Sequence, residues 1–363
     1  MTSKAFHEIP FPRLINLGTV GIALSAALLG TSCSPDSSSG KAAPANQAPA
    51  EIGPDHIEIA THYAPGTRYT FEFDMSYETE LDESMRGFMP EGEQATQQQK
   101  YAITAVESDS PDDLVIDFEF LRWASDAPVG GMNLSFDSAN EAKEDDPAEA
   151  IFAPIRTLIG KPLRITFDSN LKVTTVEGLE EVREQALRNA PPEIGGMLES
   201  MFSKYYLENM TFPRGFPENP VQPGDSWPAN ITQSLGVLGT FAADMQYQFK
   251  RLEDHDGTQC AAIAFSGTVK GGKSAPSENG GMAQLMQITG GKTFGTLWYD
   301  PAQKQVTDSS VTQELQMSMS IPGLPAEAMQ GGGLALQINQ KYTRKLVNSE
   351  APTASDVTAE PDL

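Results

Sequence analysis

The chain has 363 residues, 39% hydrophobic and 20% charged, and its 49 acidic against 25 basic side chains give a formal net charge of −24. That balance excludes nucleic acid, whose binding depends on neutralisation of phosphates by Lys and Arg, and excludes adhesion to anionic lipid through a basic patch. Only two cysteines are present, so no disulfide framework supports the fold and the core must hold it.

Residues 1–32 read as a lipoprotein signal peptide. Lys4 and Arg13 form a basic start, residues 14–29 are an apolar run, and Gly30, Thr31 and Ser32 precede Cys33. A basic region, a short apolar region and small residues at a cut site define an export signal. The end of this segment resembles a bacterial lipobox, with Gly30 where Leu is usual and Leu29 one place further out. The resemblance implies lipid on Cys33 and a membrane tether without a spanning helix. Residues 33–54 are rich in Ser, Pro and Ala and read as a flexible linker. The expected location is the cell envelope, with the body in the periplasm or at the cell surface. Residues 348–363 read as a disordered acidic tail.

Between linker and tail the sequence alternates. Phe71, Phe73, Met75 and Tyr77 are apolar and Glu72, Asp74 and Ser76 polar; Leu114, Ile116, Phe118 and Phe120 repeat the pattern, as do Leu315, Met317 and Met319, then Leu334, Leu336, Ile338 and Tyr342. Period two indicates strands with one wet face, and hence antiparallel sheet. Helical spacing is confined to Ala148 to Ile159, Leu179 to Leu187 and Ile194 to Tyr205. The expected fold is mainly β: two similar antiparallel halves, residues 55–212 and 213–347, forming a curved sheet, half-barrel or sandwich, with a few helices between them. Three ordered matches suggest a duplication. Pro65-Gly66-Thr67-Arg68-Tyr69 matches Pro223-Gly224-Asp225-Ser226-Trp227. The hairpin after Tyr101 matches the one after Tyr247. Phe167-Asp168 matches Tyr299-Asp300.

The most distinctive stretch is residues 212–227, FPRGFPENPVQPGDSW. Gly224, Asp225 and Trp227 mark it, reading as a tight turn and an aromatic strand-start anchor. With Pro220 and Val221 they resemble a family of bacterial secreted lipoproteins of unknown function with a mid-chain Pro-Val-x-x-Gly-Asp-x-Trp segment. The resemblance implies an exported β-rich protein and assigns no chemistry. A looser analogy is the half-barrel of lipoprotein carriers, at the level of fold alone.

Sites of chemistry are scarce. Residues 267–274 satisfy G-x-x-x-x-G-K-S, but Ala-Pro-Ser-Glu-Asn-Gly-Gly follows where a phosphate loop needs a helix, so nucleotide is not expected. Asp254-His255-Asp256-Gly257 lacks the acids of a calcium loop and reads as a β-turn. The pairs Glu72 with Asp74 and Asp117 with Glu119 read as the wet side of strands rather than a glycosidase pair. Cys260 reads as a buried thiol. No cofactor, metal or catalytic set is expected. Met197, Met201, Met282, Met286, Met317 and Met319 are the candidate lining of an adaptable apolar groove. The expectation is a non-enzymatic envelope lipoprotein, a binding or scaffolding module for an apolar ligand or acylated partner. The alternative is a hydrolase acting on cell-envelope polymers.

Overall fold

The structure is a computed structural model that describes residues 56–81, 94–108, 110, 113–129, 132–143, 146–188, 203–234, 240–271, 286–319 and 334–351. The signal peptide, Cys33 and the linker lie outside the described residues. In chain order the elements are β1 (Arg68–Leu81), β2 (Gln94–Val106), β3 (Leu114–Val129), β4 (Met132–Asp137), α1 (Pro147–Arg156), β5 (Leu163–Phe167), β6 (Val173–Glu177), α2 (Leu179–Arg188), α3 (Lys204–Thr211), β7 (Ser226–Ser234), β8 (Thr240–His255), β9 (Thr258–Lys270), β10 (Met286–Asp300), β11 (Gln305–Met319) and β12 (Leu334–Glu350).

The strands form one open, curved antiparallel sheet in the order β6-β5-β3-β2-β1-β12-β11-β10-β9-β8-β7, with β4 beside β3. The first and last strands therefore meet in the middle. They pair along their whole length, from Arg68 with Glu350 to Leu81 with Leu336. Each half of the chain is a meander, and the β1–β12 ladder makes the two meanders one sheet.

Alternation sets which face is buried. Phe71, Phe73, Met75 and Tyr77 on β1, Tyr101 and Ile103 on β2, and Ile116, Phe118 and Phe120 on β3 all point to one inner face. Tyr247 and Phe249 on β8, Val311 and Leu315 on β11, and Ile338 and Tyr342 on β12 continue it. Helices cover part of that face. Asp146 caps α1 by accepting from Ala148 N at 2.9 Å, with Pro in its first turn and Phe152 and Ile155 buried beneath. Helix α2 buries Leu179, Val182 and Ala186, and α3 buries Tyr206, Leu207 and Met210.

The matched segments share backbone geometry. Gly66 and Gly224 both have positive φ, 74° and 100°. Thr67 N donates to Ala64 O and Asp225 N to Gln222 O, each at 3.0 Å, closing two type II turns with Pro and Gly in the centre. Gly66 N then donates to Ala105 O and Gly224 N to Phe249 O. Ala105 N returns a bond to Thr67 O, and Phe249 N to Asp225 O. These bonds set Ala105 against Phe249. Tyr247 therefore corresponds to Ile103 and not to Tyr101, so the expected match of the second hairpins is two residues out of register. Period two is the reason it was hidden, because a two-residue slip keeps every side chain on its face. The third match holds as two Asx turns. Asp168 Oδ1 accepts from Asn170 N and Lys172 N, Asp300 Oδ1 accepts from Ala302 N and Gln303 N, and a left-handed residue follows each, Leu171 or Lys304.

Candidate functional site

The Pro- and Gly-rich segment after α3 crosses the inner face as a strap. Phe212 is buried and packs edge-on against Phe167 and Tyr63. Gly215 has φ +83°, and a Cβ there would lie 2.8 Å from Tyr247 Oη, so only glycine fits. Phe216 meets Tyr299, and Val221 pairs with Ile57 through two backbone bonds of 2.8 Å. Asp225 Oδ2 accepts from Gln222 N, which locks the turn. Trp227 anchors the end: its Nε1 donates to Gly215 O at 2.8 Å and its ring stacks on Tyr247. The segment singled out in the sequence is thus a fastening across the sheet.

Tyrosines bind the start of this strap. The last carbonyls of a helix have no partner within it. Tyr63 Oη donates to Thr211 O at 2.5 Å, Tyr101 Oη to Met210 O at 3.4 Å and Tyr247 Oη to Arg214 O at 3.4 Å. Burial raises the pKa of Tyr63 and Tyr101, which keeps both hydroxyls protonated as donors. Beside them, Glu208 and Arg214 form a buried ion pair at 3.1 Å. Glu208 also accepts from Val173 N at 2.9 Å, and Arg214 donates to Leu171 O. This network ties α3 and the strap to the β5–β6 hairpin.

Where the strap meets the middle of the sheet, a recess remains. Its walls are mainly apolar, with Phe73, Met210, Met245, Phe265, Leu297 and Val311 among them. Its cavity volume is about 40 Å³, room for a few water molecules. Arg214, Arg344, Asn209 and Tyr342 supply its polar wall. Arg344 stands opposite Phe73 of β1 and Ser309 of β11. Its Nε donates to Tyr101 Oη at 2.7 Å, and the guanidinium lies 3.9 Å from the centre of the Phe71 ring. No carboxylate forms an ion pair with it among the described residues.

Three polar groups in this wall lack hydrogen bonds. Both amide atoms of Asn209, the Tyr342 hydroxyl and Arg344 Nη2 are shut off from solvent without a partner. Tyr63, which also interacts with the guanidinium, directs its proton to Thr211 O. Buried polar groups are nearly always satisfied, so such a cluster in one recess calls for an explanation.

These residues escaped the sequence reading. Arg344 shares the phase of Leu336, Ile338 and Tyr342 on β12, the phase that faces the core. A polar residue at a core position of an alternating strand is the signal that marks it. The same signal marks Gln340 on β12 and Gln97 and Gln99 on β2, all buried.

Of the candidate methionines, Met317 is buried opposite Ile288, away from the recess. Met286 and Met319 are backbone register partners on β10 and β11, and their side chains lie outside the described set. Met197, Met201 and Met282 lie outside the described residues. The methionines at the recess are Met210 and Met245. Gly267 and Lys270 of the phosphate-loop pattern belong to β9, and the rest of that motif from residue 272 lies outside the described residues. A Cβ on Gly267 would strike Met245 Sδ at 2.2 Å, which gives that glycine a packing reason.

The strand carboxylates are ion-paired at the surface. Glu72 meets Lys100 at 3.0 Å, Asp117 meets Arg164 at 2.8 Å and Glu119 meets Arg68 at 2.6 Å. His255 ends β8 at a turn whose Asp256 and Gly257 both have positive φ. Its Nε2 lies 3.0 Å from Asp308 and its ring stacks on Trp298. With Asp256 these groups lie close enough to hold a cation, but Asp256 is already paired with Lys345 at 2.5 Å. Cys260 is buried 3.6 Å from Thr307 Oγ1, and burial pushes its thiol up.

No curated protein matches the chain. Among solved structures it is similar to one titled "Lipid-protein interactions in lipovitellin", at 12% identity and a TM-score of 0.40. The likeness covers 81% of this chain and 26% of that one, so the chain spans about a quarter of its length. A model of a family of unknown function, DUF6263, matches residues 112–303, from the start of β3 to the β10–β11 turn. The chain belongs to this DUF6263 family.

Proposed function

We propose that this protein is a non-enzymatic binding module of the cell envelope, held to a membrane by lipid on Cys33, and that the recess under the strap receives an apolar part of its ligand. The observation that carries the reading is the recess itself. It lies on the inner face, with Phe73 of β1 and Tyr342 and Arg344 of β12 in its wall, where the first and last strands meet. A concave, mostly apolar site with a few polar groups is the usual form of a small-ligand site. The surface carboxylates support a non-catalytic reading. Each is already held in an ion pair with a neighbouring Lys or Arg. The linker of residues 33–54 gives the body reach from the membrane.

The test has two parts. Replacing Cys33 by Ser and fractionating cells should move the protein out of the membrane fraction; unchanged membrane association refutes the anchor. Protein purified from its native membrane should carry a bound amphiphile by native mass spectrometry. Protein that carries none, and gains no thermal stability from single-chain amphiphiles, refutes the binding module.

A further inference from the structure

We propose that the ligand of the recess is an amphiphile with a compact oxyanion head, a single-chain carboxylate, whose head group is received by Arg344, Tyr342 and Asn209. This deepens the binding-module reading and rests on it. Three observations lead there.

First, each of the three residues brings an unpartnered donor. Arg344 Nη2 is a donor, Tyr342 Oη and Asn209 Nδ2 can both donate, and all three are buried without a hydrogen bond. Tyr342 is 4% exposed and Asn209 6%. A neutral alcohol or ester offers one or two acceptor sites, whereas a carboxylate offers about four. Second, the charge is uncompensated. Glu208 neutralises Arg214, but among the described residues no carboxylate pairs with Arg344. A charge kept from its counter-ion in a low-dielectric site is costly unless a ligand supplies one, and the flat guanidinium matches a carboxylate in bidentate geometry. Third, the recess is small and mainly apolar. About 40 Å³ admits a compact head group, and Phe73, Met245, Phe265 and Leu297 give apolar wall for the first part of its chain. Met245 is unbranched and soft, so it adapts to a chain of variable length.

The experiment uses the full-length Cys33→Ser chain, so that neither anchor nor detergent competes. Binding of dodecanoate, dodecanol and acetate is measured by calorimetry at one ionic strength. Dodecanoate should bind at least about tenfold more tightly than dodecanol, as a charge-assisted hydrogen-bond set implies, and acetate far more weakly than either. Tyr342→Phe and Asn209→Leu should each weaken dodecanoate severalfold and leave dodecanol unchanged. Both variants should fold, because each removes atoms that have no partner in the structure. Arg344→Met should abolish the preference for the carboxylate; if that variant fails to fold, the other two decide. Equal binding of dodecanoate and dodecanol overturns the head-group assignment and leaves the binding module standing. Acetate bound as tightly as dodecanoate overturns the amphiphile in favour of a free small anion. Binding of none of the three overturns both proposals together.

Discussion

Removing the Glu208 carboxylate, as in Glu208→Ala, tests how the strap is held. Glu208 and Arg214 are 8% and 7% exposed at their side chains and lie 3.1 Å apart. The same carboxylate accepts from Val173 N at 2.9 Å and stands 3.8 Å from Lys172 Nζ. Without it, Arg214 keeps its bond to Leu171 O but loses its counter-ion in a buried site. Breaking one side of a buried pair costs about 3–5 kcal/mol, and at about 2 °C per kcal/mol for a body of this size the melting temperature falls by about 6–10 °C. Replacing both partners, as Glu208→Leu with Arg214→Met, removes the stranded charge. It should cost less than about 2 kcal/mol, mainly through the orphaned Val173 amide. Chemical unfolding followed by circular dichroism on the two singles and the double closes the cycle. A Glu208→Ala variant within about 1 kcal/mol of wild type, or a double variant as damaged as the single, refutes the claim that this pair fastens α3 and the strap.

Two glycines of the strap separate backbone strain from contact. Gly224→Ala meets nothing within 4 Å and should cost only the left-handed penalty, about 1 kcal/mol. Gly215→Ala adds a collision with Tyr247 and should cost about 2–3 kcal/mol. It should also disturb the near-ultraviolet signal of the stacked Trp227; equal costs at the two sites refute the role of close approach. Tyr299→Phe removes the hydroxyl that accepts from Ala60 N at 3.1 Å and lies 2.9 Å from Ala60 O. It should cost about 1 kcal/mol and speed limited proteolysis before residue 65. Unchanged cleavage there means that Tyr299 does not fasten the entry segment.

Much of the strand inventory was legible because alternation reports a physical fact, that one face of an antiparallel strand is dry. Phe71, Phe73, Met75 and Tyr77 are buried as their spacing requires, and the turns at Gly66, Gly224 and Asp256-Gly257 form where their residue types predict. Helices α1 and α2 fall on the expected ranges to within a residue at their starts, and most of the expected third helix lies outside the described residues. Of the six candidate groove methionines only Met317 has a described side chain, and it stands away from the recess. Met245 and Met210 reach the recess through pairing and through the path of the strap.

What the sequence determined by itself is local: strands, their wet and dry faces, and the turns that join them. These follow from periodicity and turn chemistry, which act over a few residues. Tertiary structure decided that β1 pairs with β12, because that ladder joins residues 255 to 282 positions apart and any two alternating strands could have paired. It also decided which polar side chains on dry faces find partners. Among the described residues Arg344 finds Tyr101 and Phe71 but no carboxylate, and Arg214 finds Glu208. Satisfaction of a buried group depends on which atoms the fold brings within 3 Å of it, and strand periodicity carries no record of that.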